Sequence, residues 1–114
     1  MLSLNRMAIV VMAKRPFLDW LHAVDPTSFG LTLDDLNHEP NVYLLPEAGS
    51  DDEAVRQVGR FCPHIVEEEL DGWWRERSDW PAKLDFALFD EWFEWRCHSM
   101  VLDLGKVPLV REQV

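Results

Sequence analysis

Eight aromatic residues fall within the 23 positions from Trp73 to Trp95: Trp73, Trp74, Trp80, Phe86, Phe89, Trp92, Phe93 and Trp95. This density constrains the fold more than any other feature. Each ring buries roughly 150–250 Å² and favours tilted or edge-on neighbours. A chain of 114 residues has room for one domain and one core, and that core must be built around these rings. Most of them belong inside. Any ring left over marks a surface for a partner, because Trp is enriched where proteins bind one another. Trp73 and Trp74 cannot point the same way on a helix, so one of them is left outward. Trp74, Trp92 and Trp95 are the candidate interaction surface.

The rest of the chain supplies the elements that would enclose such a core. Met7–Ala13 is continuously apolar and rich in Ile and Val, as a central strand is. Pro16 suits the first turn of a helix. Phe17, Leu18, Leu21 and Val24 give that helix a buried stripe, and Asp25-Pro26 ends it. Thr32 caps a short helical turn over Leu33–Asn37, and Asn41–Leu45 reads as a strand that Pro46 confines to an edge. Ser50 with Glu53 forms a capping box that opens the longest helix, with a kink or break expected near Gly59–Cys62 because of Pro63. Asp85 caps an aromatic helix over Phe86–Trp95. His98–Leu104 then alternates with period two, placing Met100, Leu102 and Leu104 on the covered face of a half-buried strand.

The order β-α-β-α-α-β predicts a two-layer α+β fold, with helices mainly on one face of a small, mixed sheet of about three strands. The first strand is central, and a right-handed crossover makes the first two strands parallel. Residues 1–114 form a single domain, with 1–6 and 106–114 as frayed ends. Met7 is a possible second translation start.

Lys and Arg number 11 against 21 Asp and Glu, a net charge of −10 that disfavours a nucleic-acid backbone or an anionic membrane as partner. No apolar run reaches the ~18–20 residues of a membrane span. The two cysteines, Cys62 and Cys97, lack CxxC spacing and read as free thiols in a reducing cytosol. The expected location is therefore cytoplasmic.

Several stretches are distinctive as a set: Lys14-Arg15-Pro16-Phe17 with Asp19-Trp20, Glu39-Pro40-Asn41-Val42-Tyr43-Leu44-Leu45-Pro46-Glu47, Leu70 with Gly72-Trp73-Trp74, Trp80-Pro81, Phe89 with Trp92-Phe93, and His98-Ser99-Met100-Val101 with Asp103-Leu104. Across most of residues 7–104 the chain resembles a family of small proteobacterial proteins of unknown function. The resemblance implies a bacterial cytosolic protein and brings no activity, cofactor or catalytic residue with it.

Three constellations offer chemistry. His64, Glu67 and Glu68 share one helix face at metal-ligand spacing, although the motif is neither HExxH nor its inverse. A solvated acidic face explains the same residues, and no metal is assigned. Glu69 continues the stripe Val58–Cys62–Ile65 toward Trp73, which makes it a general acid or base beside aromatics, half of a buried pair with Arg96 or Arg75, or a solvated carboxylate if a kink at Pro63 rotates it outward. His64, Glu68 and Glu69 are thus the candidate catalytic residues. Lys14 and Arg15, between a strand end and a helix start, are the candidate anion site. They equally neutralise the neighbouring stretch Pro16–Val55, which holds nine acids and no Lys or Arg. No glycine-rich loop cradles a phosphate, no nucleophile motif is present, and no cofactor is implied.

The function expected from these features is a non-enzymatic module that binds a protein partner or forms a homodimer. One alternative is a small anion- or metabolite-binding protein, or an enzyme, built on Lys14 and Arg15 with nearby His and Glu. The acid-only stretch adds another, a mimic of nucleic acid.

Overall fold

The computed structural model describes residues 1–114, and its architecture is α+β. Chain entry is a two-residue strand β1 (Leu2–Ser3), followed by the long strand β2 (Arg6–Ala13). On β2, Met7, Ile9 and Val11 are buried beneath the helices, while Val10 and Met12 on the opposite face are half-buried. Helix α1 (Arg15–Val24) starts with Pro16 in its first turn and buries Phe17, Leu18 and Leu21. It stops at Asp25, held extended by Pro26. The Asp25 carboxylate then accepts the Thr27 N–H (2.9 Å) to cap a single 3-10 turn, Pro26–Ser28. Helix α2 (Leu33–Leu36) has the expected Thr32 cap, completed by the Asp35 side chain, which accepts the Thr32 N–H at 2.8 Å.

Strand β3 (Val42–Pro46) pairs with β2, and β4 (Phe93–His98) pairs with its other side, so β2 is central in the order β3-β2-β4. Both pairings are antiparallel. This corrects the mixed sheet expected from the sequence, in which the first two strands run parallel. The reason is visible at Asn37. Its side chain accepts the Ala13 N–H (2.7 Å) and donates to the Ala13 carbonyl (2.9 Å). After α1 has crossed the sheet, the 3-10 turn and α2 bring the chain back to the end where β2 stops. The next strand therefore leaves in the reverse direction.

Helix α3 (Asp51–Trp73) is capped by Ser50, whose hydroxyl accepts the Glu53 N–H at 3.1 Å. The Glu53 carboxylate reaches the N–H of Gly49 rather than that of Ser50 (2.8 Å). Of the kink or break expected near Gly59–Cys62, the break does not occur: the helix is continuous through 23 residues. Pro63 has no N–H for the Gly59 carbonyl. The Cys62 thiol donates to that oxygen instead, at 3.4 Å. After a second 3-10 turn (Arg77–Asp79), Asp85 caps α4 (Phe86–Trp92) by accepting the Leu88 N–H at 3.0 Å.

The aromatic helix ends three residues before the expected boundary of Trp95, because Phe93, Trp95 and Cys97 alternate on the helix-facing side of β4. The last expected strand, His98–Leu104, correspondingly shifts. Only Leu102–Asp103 (β5) of its later half is extended in a ladder, and it pairs antiparallel with β1. Leu2–Ser3 thus carries structure in a segment expected to fray, whereas residues after Asp103 carry no regular element. Met100, Leu102 and Leu104, the expected covered face, are 67%, 51% and 75% exposed.

The core lies between the sheet and the helices, and phenyl rings fill its centre. Phe17, Phe89 and Phe93 are fully buried, with centroids 5.3 Å apart for Phe17–Phe93 and 5.8 Å for Phe89–Phe93. All six tryptophans stand at the rim instead: none is buried outright. An indole N–H seeks an acceptor, and the rim provides one for four of the six. Trp20 and Trp74 donate to the backbone and carboxylate oxygens of Asp79 (3.0 Å each), Trp80 to the Trp74 carbonyl (2.8 Å) and Trp95 to Asp90 (3.2 Å). No helix is long and apolar enough to cross a membrane.

Candidate functional site

The alternation of β3 places Tyr43 and Leu45 on the helix side and Val42 and Leu44 on the other, in register with Ile9, Met7, Val10 and Ala8 respectively. Helix α3 passes the helix side of this strand and presents Glu69 one turn before its end. One carboxylate oxygen of Glu69 accepts both the Tyr43 hydroxyl (2.6 Å) and the Asn41 amide (2.7 Å). The sequence offers Glu69 an arginine partner, Arg96 or Arg75, or a place in water if a kink at Pro63 turns it outward. Its partners are instead Tyr43 and Asn41, which sequence reasoning missed. The signal was available in principle: Asn41 and Tyr43 are two apart on a strand, so they share a face.

Hydroxyl-to-carboxylate bonds of this length are charge-assisted. Burial, and then the hydrogen bond and negative charge of Glu69, push the Tyr43 phenol well above its ordinary pKa. Tyr43 therefore keeps its proton and acts as a donor. The arrangement clamps the edge strand to α3, and it withholds from Tyr43 the anionic form that a base or nucleophile requires.

Alongside this clamp runs an open groove of about 470 Å³ between β3 and α3, walled on the helix side by Phe61, His64, Ile65 and Glu68. His64 and Glu68 are exposed at its rim, and Glu69 is half-buried behind them. Glu68 and Glu69 also border a tighter recess of about 100 Å³ with Asn37, Asn41 and Trp73. His64, Glu67 and Glu68 do not converge into a group that could hold a metal ion.

Lys14 and Arg15 lie elsewhere. The Lys14 N–H donates to the Trp92 carbonyl (2.8 Å), and its ammonium to the Asp90 carbonyl (3.1 Å), so Lys14 closes the C-terminal end of α4. It faces a recess shared with Asp90 and Glu94, whose carboxylates repel an anion. Arg15 pairs loosely with Asp19 at 3.9 Å, with both side chains mostly in water. Neither cation lines the groove that His64 and Glu68 border.

The aromatic candidates are likewise engaged. Trp74, Trp92 and Trp95 are half-buried, and in the adjacent pair Trp73 is the outward member at 40% exposure. Trp92 packs against Trp20 and Phe17, at 5.9 and 6.2 Å between centroids. Compared with known proteins, the chain matches no protein-family model, no curated protein and no solved structure.

Proposed function

We propose that this protein is a non-enzymatic module that associates with a second copy of itself. The observation carrying this reading is the placement of its apolar surface. Of the fifteen large hydrophobic side chains that are exposed, six belong to one arm formed by the paired terminal ribbon and its flanks: Met1, Leu2, Met100, Leu102, Leu104 and Val107. The two-residue β1–β5 ladder is too short to hold a ribbon in water unaided. Met100, Leu102 and Leu104 nevertheless follow the alternation of a strand with one covered side. A second copy brings the same apolar arm, and contact between like patches about a twofold axis is the commonest route to a homo-oligomer.

Charge distribution favours the same region. The ionisable side chains after His98 are Asp103, Lys106, Arg111 and Glu112, two of each sign, so the net charge of −10 resides in the rest of the molecule. Two copies can meet here without strong repulsion. The interaction surface proposed is therefore the arm, in place of Trp74, Trp92 and Trp95.

Sedimentation velocity across a wide concentration range tests the proposal. The expected result is a dimer for the native chain and a monomer for the Met100→Glu/Leu102→Glu variant, with an unaltered circular-dichroism melt. A native chain that sediments as a monomer at every concentration would refute self-association.

A further inference from the structure

The outer edge of β3 is a separate unpartnered feature, independent of the arm. Hydrogen bonding alternates along an antiparallel ladder. The Val11 N–H donates to the Asn41 carbonyl (3.4 Å), so in the same phase Ile9–Tyr43 and Met7–Leu45 are the bonded pairs. Val42 and Leu44 then turn their N–H and C=O groups away from β2, along the open side of the sheet. No loop or turn backbone group bonds to them. An edge strand beside a helix-walled apolar groove is the geometry into which extended peptides add as an extra strand. On the same helix face, one turn before Phe61, the Gln57 side-chain oxygen is buried and lacks a donor.

The chain's own last residues pass close to this edge, still exposed and not yet bonded to it. Leu109 and Arg111 border a recess with Leu44 and Arg6, on the helix-free side of the sheet, whereas Val114 borders the groove on the helix side. Odd positions on one face and an even one on the other is strand alternation. Arg6 pairs with Pro46, so Leu109 starts at the C-terminal end of β3 and the segment runs antiparallel to it. Pro108 suits this arrangement, because proline is tolerated at the start of a strand but not within a ladder.

We propose that the groove between β3 and α3 is a strand-docking site and that its occupant is Leu109–Val114 of the same chain, added as a fourth strand antiparallel to β3. Val42 and Leu44 bond to it through their outward groups, and Val110 and Val114 enter the groove above Phe61 and Ile65. The docked strand covers an edge that would otherwise invite pairing with other chains.

Amide hydrogen exchange by NMR tests this, in the Met100→Glu/Leu102→Glu background so that self-association through the arm does not interfere. The Val42 and Leu44 amides should exchange at least tenfold more slowly than in the same background carrying Val110→Pro/Arg111→Pro, which bars the strand. Ile9 and Val11, paired inside the sheet, should not change and so report an intact fold. Equal rates for Val42 and Leu44 in the two chains overturn the proposal. Protection that appears only as protein concentration rises overturns it too, and assigns the edge to a second copy.

Discussion

At the scale of single residues, the Tyr43–Glu69–Asn41 clamp yields a pH-dependent prediction. A phenol whose pKa is higher in the folded than in the unfolded chain keeps its proton longer in the native state. The stability it contributes is complete below about pH 10, the ordinary phenol value, and is lost as pH climbs above it. Tyr43→Phe is expected to cost about 1–2 kcal/mol at neutral pH and to flatten the alkaline decline. Urea denaturation at neutral and alkaline pH measures both, and an alkaline decline equal to that of the native chain would exclude Tyr43 as its source. The two thiols make a simpler case. Burial raises the pKa of both Cys62 and Cys97, and Cys62 has no exposed surface. Alkylation of native protein should leave Cys62 unmodified until denaturant is added; prompt labelling would contradict its burial. The carboxylate of Glu69 was legible as unusual from its place in an apolar stripe. Its partner was not, because Tyr43 is 26 positions away and spacing along a helix does not say which strand lies opposite.

Among the elements, local chemistry was the most legible. Thr32, Ser50 and Asp85 each accept an N–H from the third residue of the following helix, as their sequence contexts implied. Asp85→Ala should destabilise the protein by about 1 kcal/mol through loss of the α4 cap, as read by thermal denaturation. Gly59 lies inside α3, and a Cβ there meets no atom within 4 Å. Gly59→Ala should therefore stabilise the fold by roughly 0.5–1 kcal/mol, and a loss of stability would show that the turn before Pro63 needs glycine's freedom. The boundary between α4 and β4 was the least legible. Phe89, Trp92 and Phe93 fit a helical stripe, and Phe93, Trp95 and Cys97 fit a strand equally well. Short apolar runs satisfy both periods. Pairing with β2 decides between them, since six successive residues from Phe93 to His98 find partners from Ala13 back to Ala8.

For the whole molecule, a net charge of −10 opposes association between copies, and salt screens that opposition. The screening length shortens from about 30 Å at 0.01 M to about 10 Å at 0.1 M salt. If the apolar arm joins two copies, raising salt over that range should lower the dissociation constant measured by sedimentation equilibrium. Weakening by salt would show that ion pairs hold the dimer instead. The helix-free face of the sheet adds to the uncovered surface, with Val42 and Leu44 at 59% and 51% exposure beside half-buried Val10 and Met12.

By itself the sequence determined the α+β class, the central position of the first long strand, the edge position of the strand ending at Pro46, and three helix caps. These follow from interactions within a few residues, which local spacing encodes. Only the tertiary structure decided that every sheet pairing is antiparallel, that phenyl rings fill the core while indoles stand at its rim, and that Met100, Leu102 and Leu104 face water. Those outcomes depend on where a returning chain meets β2 and on which acceptors lie within reach of an indole N–H. Both are set by contacts between residues far apart in the chain, for which periodicity carries no record.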